Sequence, residues 1–373
     1  MDFSASEAQT DLAALTRRIL TDHVTPERLR ELESAPDHHD SQAWQALASA
    51  GVLAAALPES TGGQGFGLLE QCGVLIEIGR LVAPLPYLCS VTAGAAALAE
   101  FGSPEQIEHW ARPAAAGALL CTPALLEELS DDPAAPSTTA HADGDGFLLT
   151  GSKTTVPAGP IADLYLVPAR TPGGVTVFLV TAQDRGVAVD RQRVVDADSE
   201  ACLTLRDVRV DRGRMLGTAD NGKDITRWLT ERYTVGLCAG QLGVLERALE
   251  LTASYAGERV QFDRPIGSFQ AVAQRLADAY VDVEAVRLTL WEAAWRLAEG
   301  LDATTEVATA KFWAADAGHR VAHTAVHIHG GVGIDIDYPL HRYFVAAKRN
   351  EFSLGGATAQ LRRIGATLAA TAL

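Results

Sequence analysis

The sequence predicts an all-α N-terminal domain (residues 1–118), a middle β domain (119–216) and a C-terminal helical bundle domain (217–373). Three observations carry this. Apolar residues recur at helical spacing in the first part, and short β-rich runs separated by Gly and Asp fill the second. In the third, Val272, Leu276, Ala279, Val283, Val286, Leu290 and Leu297 form one apolar stripe over many turns. Such a stripe buries itself against other long helices, in a local bundle or at a subunit interface.

Taken in order, Asp2-Phe3-Ser4 before Glu7 reads as a helix start, and Leu12, Leu15, Ile19 and Leu20 continue the helical period. A second helix passes through Trp44, Leu47 and Ala50 and stops at Gly51. Pro58-Glu59-Ser60-Thr61-Gly62-Gly63-Gln64-Gly65 follows, but it lacks the Lys-Ser/Thr ending of a phosphate loop and no strand feeds it. Leu68 to Leu81 is another apolar helix, broken by Pro84 and Pro86. Phe147–Lys153, Leu164–Val167 and Val175–Val180 are β-rich, in a sandwich or a barrel. From Asp224 onward the pattern is helical again.

A chain of 373 residues, 47% hydrophobic and 21% charged, can bury a large core. Its net charge of −16 argues against a nucleic-acid-binding surface. Cys72, Cys89, Cys121, Cys202 and Cys238 are scattered, odd in number and without metal spacing, as expected of reduced thiols in a cytoplasmic protein. The opening Met-Asp-Phe-Ser carries no basic segment, and no apolar run is long enough to span a bilayer. The expectation is no signal peptide and no membrane association.

The most specific stretch is Arg259-Val260-Gln261-Phe262-Asp263-Arg264-Pro265-Ile266-Gly267-Ser268-Phe269-Gln270, between two long helical patterns. A guanidinium in such a turn matches phosphate with two parallel donors. Arg259, Phe262 and Gln270 at this spacing resemble the flavin-binding turn of the acyl-CoA dehydrogenases, where the Arg meets the FAD pyrophosphate of the neighbouring subunit and the Phe lies near the adenine. His327-Ile328-His329-Gly330-Gly331-Val332-Gly333 is similar to that family's Gln-x-x-Gly-Gly-x-Gly segment, with His327 in place of Gln. The Gly-rich loop at Pro58 also resembles a family loop. The likeness covers the whole chain and implies the acyl-CoA dehydrogenase fold, ending in a four-helix bundle, with FAD as cofactor. It assigns FAD contacts to Arg259, Gln261, Phe262, Gln270, His327, Gly330, Gly331 and Gly333. Two His beside glycines without Cys or carboxylate in metal spacing imply no metal site.

The chemistry of the family needs a carboxylate to take the α-proton of an acyl thioester and a flavin to take the β-hydride. Its base lies in a Tyr-Glu-Gly-Thr-x-Gln segment, and here that position is Gly355 in Leu354-Gly355-Gly356-Ala357-Thr358-Ala359. The family's flavin-ring Thr and Gln fall on Ala357 and Ala359, and its flavin-stacking Trp on Thr155. Its Thr-Glu-Pro-Gly loop is replaced by the stretch from Thr122 to Asp131. The half-site lent to a neighbour is kept and the chain's own flavin-ring site is lost. That pattern, with the ending Asp335–Phe344, is similar to the non-catalytic chain of actinobacterial heteromeric steroid side-chain acyl-CoA dehydrogenases. It implies a homologous acyl-CoA dehydrogenase subunit as partner in an α2β2 heterotetramer, and a bulky acyl-CoA as substrate. Glu231 falls where some members carry an alternative base. The rival readings are a homo-oligomeric enzyme with Glu231 as base and a flavin-free scaffold.

Overall fold

The first described helix opens on a capping box. The Ser6 side chain accepts from the Gln9 N–H while the Gln9 side chain accepts from the Ser6 N–H, which settles two of the orphan donors of α1 (Glu7–His23). The computed structural model describes residues 5–130, 132–196 and 198–371. The helix start expected at Asp2-Phe3-Ser4, and Asp131 at the end of the altered loop, lie outside them. Helices α2 (Pro26–Glu33), α3 (Ser41–Ser49), α4 (Val52–Ala55) and α5 (Leu68–Arg80) follow. Two π-helical stretches, Leu88–Ala95 and Ile107–Ala111, then alternate with α6 (Ala96–Phe101), α7 (Pro104–Gln106) and α8 (Arg112–Ala115). The Pro58–Gly65 loop follows helix α4, not a strand.

Strands β1 (Cys121–Pro123), β2 (Thr139–Asp143), β3 (Gly146–Pro157), β4 (Leu164–Arg170), β5 (Val175–Thr181), β6 (Val187–Gln192), β7 (Glu200–Asp211) and β8 (Met215–Leu216) form one sheet. Its order is β6-β7-β3-β2-β4-β5-β8, with β1 pairing in parallel on β4. Between them Leu149, Val156, Tyr165, Val167, Phe178, Val180, Leu203, Leu205, Val208 and Val210 make a closed apolar core. The chain then returns to helix: α9 (Gly222–Glu258), a small hairpin β9 (Val260–Gln261) and β10 (Arg264–Pro265), α10 (Gln270–Ala298), α11 (Thr304–His329), α12 (Leu340–Phe352) and α13 (Ala357–Thr371). The helical, β, helical order is the expected one. No helix among the described residues is long and apolar enough to cross a membrane.

The chain condenses into two compact units that do not follow this linear order. One gathers the chain up to Pro26, Leu68–Ala83 and everything from Thr234 on; the other holds Glu27–Gly67 and Pro84–Tyr233. In the first, Arg17 grips the buried Glu77 with two bonds of 2.8 and 2.6 Å, tying α1 to α5. Arg80 at the end of α5 pairs with Glu246 at 2.7 Å and Glu250 at 2.6 Å on α9. The α10 stripe is buried from Ala279 through Val283, Val286 and Leu290. Towards its ends it is less covered, with Val272, Leu276 and Leu297 half-buried, and off the stripe Tyr280, Val281 and Leu288 are exposed.

In the second unit Asp40 caps α3 and pairs with Arg28, and the Trp44 indole N–H donates to the Gly117 carbonyl at 3.0 Å. The β domain also contains a feature the apolar pattern did not reveal. Lys153 on β3 is completely buried, and its ammonium lies 2.7 Å from Glu127. Glu127 also accepts from the Ser137 N–H (2.6 Å), the Thr138 N–H (3.0 Å), the Thr138 hydroxyl (2.7 Å) and the Ser137 hydroxyl. Burial pushes this carboxyl up, but the donors of Lys153, Ser137 and Thr138 outweigh it and hold it at about 2. Its folded value lies below its ordinary 4.5, so its contribution is present above pH 4.5 and is lost as pH falls towards about 2. Lys153→Met leaves that carboxylate buried without its cation. The expected cost is about 3–5 kcal/mol, read as a lowered midpoint in chemical unfolding at neutral pH.

Candidate functional site

Helix α9 ends at Glu258 and the chain doubles back at once. Gln261 pairs with Arg264 and Val260 with Pro265, leaving a two-residue turn of Phe262 and Asp263. Both turn residues are left-handed, with φ of 54° and 63°. That turn matches the twist of a hairpin but normally takes Asn-Gly, so a Phe there is strained. The strain leaves the Phe262 ring 87% exposed. Arg259, Gln261 and Gln270 are exposed as well, and among the described residues the Arg259 side chain has neither an ion pair nor a hydrogen bond. What stiffens the turn is Arg264, whose guanidinium stacks 4.1 Å from the Phe269 ring, while Phe262 meets that ring edge-on at 6.1 Å. Sequence reasoning missed Arg264 and Phe269, because only the turn brings them together.

The second piece starts where α11 ends. Gly330 takes φ 62° and ψ −138°, a conformation open in practice only to glycine, and the chain continues through a short helical turn to Ile334. Gly330 and Gly331 are exposed, while Gly333 is buried against His329 and Val326. The two histidines of this segment have opposite fates. His327 faces solvent, whereas His329 is buried with both ring nitrogens engaged. A groove of about 1140 Å³ between α10 and α11 has Ala271 and Gln274 on one wall and His323 and His327 on the other. The groove therefore brings the start of α10, beside Gln270, next to the end of α11.

The positions that the sequence likeness aligns with the family's base and flavin-ring contacts are Gly355, Ala357, Ala359 and Thr155. Gly355 sits in the break between α12 and α13 with φ 93°, after Leu354 at φ 53°. The buried Gln360 amide donates to the Leu354 and Gly355 carbonyls at 3.1 and 2.9 Å. Buried Lys311 donates to the Asn350 and Glu351 carbonyls at 2.9 and 3.1 Å, closing the end of α12. A Cβ on Gly355 would lie 3.0 Å from Ala359 Cβ and 3.3 Å from Gln360 Nε2. Thr155 is exposed on a bulge of β3 at φ 47°, its N–H donating to Gln192 Oε1 at 2.7 Å. Ala357 and Ala359 are half-exposed and offer only methyl groups. Glu231 lies half-buried well inside α9, beyond the exposed helix start where an amphipathic reading would put it. Next to it Arg232 stacks over Trp228 at 4.2 Å.

Comparison with known proteins decides the family. Residues 6–118, 127–208 and 220–369 match the N-terminal, middle and C-terminal domains of acyl-CoA dehydrogenase. The chain belongs to the acyl-CoA dehydrogenase family. Acyl-CoA dehydrogenase FadE27 of Mycobacterium tuberculosis is 51% identical over the full length of both chains. Among solved structures, a chain of the ChsE4-ChsE5 complex from Mycobacterium tuberculosis superposes with a TM-score of 0.94 at 52% identity, over 99% of each chain. A variant of the Tcur3481-Tcur3483 steroid ACAD gives 0.92 at 42% identity, over 98% of this chain and 99% of that one. As an acyl-CoA dehydrogenase the protein is an oxidoreductase, similar to chains of two complexes, one of them a steroid ACAD. Restoring the family carboxylate by Gly355→Glu is expected to cost about 1–2 kcal/mol, since a side chain must enter a left-handed position against Ala359. Thermal unfolding should show the loss, and dehydrogenation assays should show no gain in turnover.

Proposed function

We propose that this chain is the flavin-sharing subunit of a heteromeric FAD-dependent acyl-CoA dehydrogenase whose catalytic base comes from a homologous partner. The observation that carries this is the contrast within one unit. An uncommitted Arg259 and a strained, exposed Phe262 face outward, while Gly355 lies in a kink that rejects a side chain. The exposed groups fit the pyrophosphate and adenosine half of FAD. A free guanidinium suits phosphate, an exposed ring suits adenine, and bare glycine backbone at Gly330 and Gly331 permits close approach. Arg259, Gln261, Phe262, Gln270, His327, Gly330, Gly331 and Gly333 would hold it. When bound, FAD supplies the hydride acceptor for α,β-dehydrogenation of the acyl-CoA.

The rest of the surface supports a partner. Tyr280, Val281 and Leu288 on α10 and Ile334 and Ile336 after the glycine loop are large, apolar and exposed. Exposed apolar side chains of this size are better covered by another subunit than by water. The similar complexes named above pair two chains, and one is a steroid ACAD, so a bulky steroid side-chain CoA is the substrate we assign. A flavin-free scaffold would have no use for a strained turn that holds Phe262 outward.

Expression alone is expected to give little bound FAD. Co-expression with a homologous acyl-CoA dehydrogenase chain as partner is expected to give about one FAD per two chains, since each pair completes one half-site combination. A yellow homo-oligomer with a flavin in every chain would sink the proposal. Arg259→Ala should strip the flavin from the complex, because each charge-assisted pyrophosphate contact is worth about 1.5–3 kcal/mol. The rival reading, a complete enzyme with Glu231 as base, has in its favour that this carboxylate is half-buried beside the stacked Arg232. Glu231→Gln would then cut turnover by about 10² to 10⁴ with FAD content unchanged. On the proposed function it changes turnover by less than about threefold, and the matching change in the partner abolishes activity.

A further inference from the structure

His329 belongs to a cluster that the flavin contacts do not account for. Its ring stacks on Tyr255 of α9 at 4.3 Å and 24°, and Tyr338, after the glycine loop, meets it at 5.2 Å. Nδ1 lies 2.8 Å from the Ala325 carbonyl, which can only accept, so Nδ1 carries the proton. Nε2 is then the acceptor, 3.2 Å from the Tyr338 hydroxyl. The stack thus grips the Gly330–Gly333 loop on both sides, at His329 before it and Tyr338 after it. Tyr255 reaches the other half-site too: its carbonyl accepts the Arg259 N–H at 2.8 Å, which closes α9 into the hairpin.

We propose that the Tyr255–His329–Tyr338 stack is the positioning element that holds the Arg259 hairpin and the glycine loop in register, so that both meet one dinucleotide. This rests on the flavin reading above. The clamp needs an uncharged His329, because Nε2 must accept from Tyr338. Burial holds this imidazole below its ordinary 6.5, and the bond to Ala325 only partly opposes that. The groups facing it are the phenols of Tyr255 and Tyr338, with Glu258 and Arg247 of α9 acting on Tyr338. His327, on the same helix, points to solvent. Among the described residues no carboxylate pairs with this ring, so acid loosens the clamp. The register is intact above the ordinary value of 6.5 and weakens as pH falls below it.

The test uses the co-expressed complex loaded with FAD, following the fluorescence of released flavin at about pH 7.5 and about pH 5.5. Wild type is expected to release flavin severalfold faster at the lower pH, because the loosened cluster takes up a proton that the buried ring refuses. His329→Phe keeps the stack on Tyr255 but cannot titrate, and its release should not change with pH. Tyr338→Phe removes only the hydroxyl on Nε2 and should weaken retention about 2–10-fold at the higher pH. It carries the comparison if the His329 variant fails to assemble. Equal pH dependence in wild type and His329→Phe, no pH dependence in wild type, or full retention in Tyr338→Phe would each overturn the inference alone, provided Arg259→Ala loses its flavin. An Arg259→Ala complex that keeps its flavin would overturn the flavin reading and this inference together.

Discussion

The C-terminal helical unit depends on the seam between α10 and α11. Helix α10 buries Ala279, Val283, Val286 and Leu290, and α11 buries Ala310, Ala314, Ala317, Val321 and Ala325. Alanines on α11 let neighbouring helices approach closely, and burial of the branched side chains of α10 adds apolar stabilisation. The helices run antiparallel, as the Arg320 pair with Asp282 at 2.6 Å shows. The start of one is therefore beside the end of the other. The Arg259 hairpin precedes α10 and the glycine loop follows α11, so this pairing brings together two segments that are some seventy residues apart in sequence (330 − 259 = 71).

Two kinds of backbone strain then divide the functions of this chain. At Phe262 the left-handed turn is occupied by a bulky residue and holds a ring out of the fold. At Gly355 a left-handed kink is occupied by the one residue that tolerates it, and buried Gln360 and Lys311 satisfy the carbonyls around it. The first is a cost that the fold offsets in part by the edge-on contact of Phe262 with Phe269. The second is stable as it stands, and a side chain added there would have to fit against Ala359. In the β domain, the Glu127–Lys153 pair plays the same part: the stretch that replaces a glycine-rich loop is anchored by a buried carboxylate with five donors. A half-satisfied version of that network would be worse than none.

Much of this was legible from residues alone. Hydrophobic period separates helix from strand because burial acts on every turn or every second residue, so the helical, β, helical order needed no coordinates. Arg259, Phe262 and Gln270, and the glycines from Gly330, stood out in the sequence because their residue types and spacing match a motif of the family. The absence of a carboxylate at Gly355 was equally a matter of sequence. Tertiary structure alone decided which apolar residues the chain leaves uncovered, since the α10 stripe reads the same in its buried and open turns. It also decided that the chain condenses into two units, each gathered from separate stretches of sequence, that Lys153 is buried against Glu127, and that Arg264 stacks on Phe269. His327 and His329 look alike in sequence, two residues apart. Only the fold turns one to solvent and closes the other between Tyr255 and Tyr338, because long-range ring contacts leave no periodic trace along the chain.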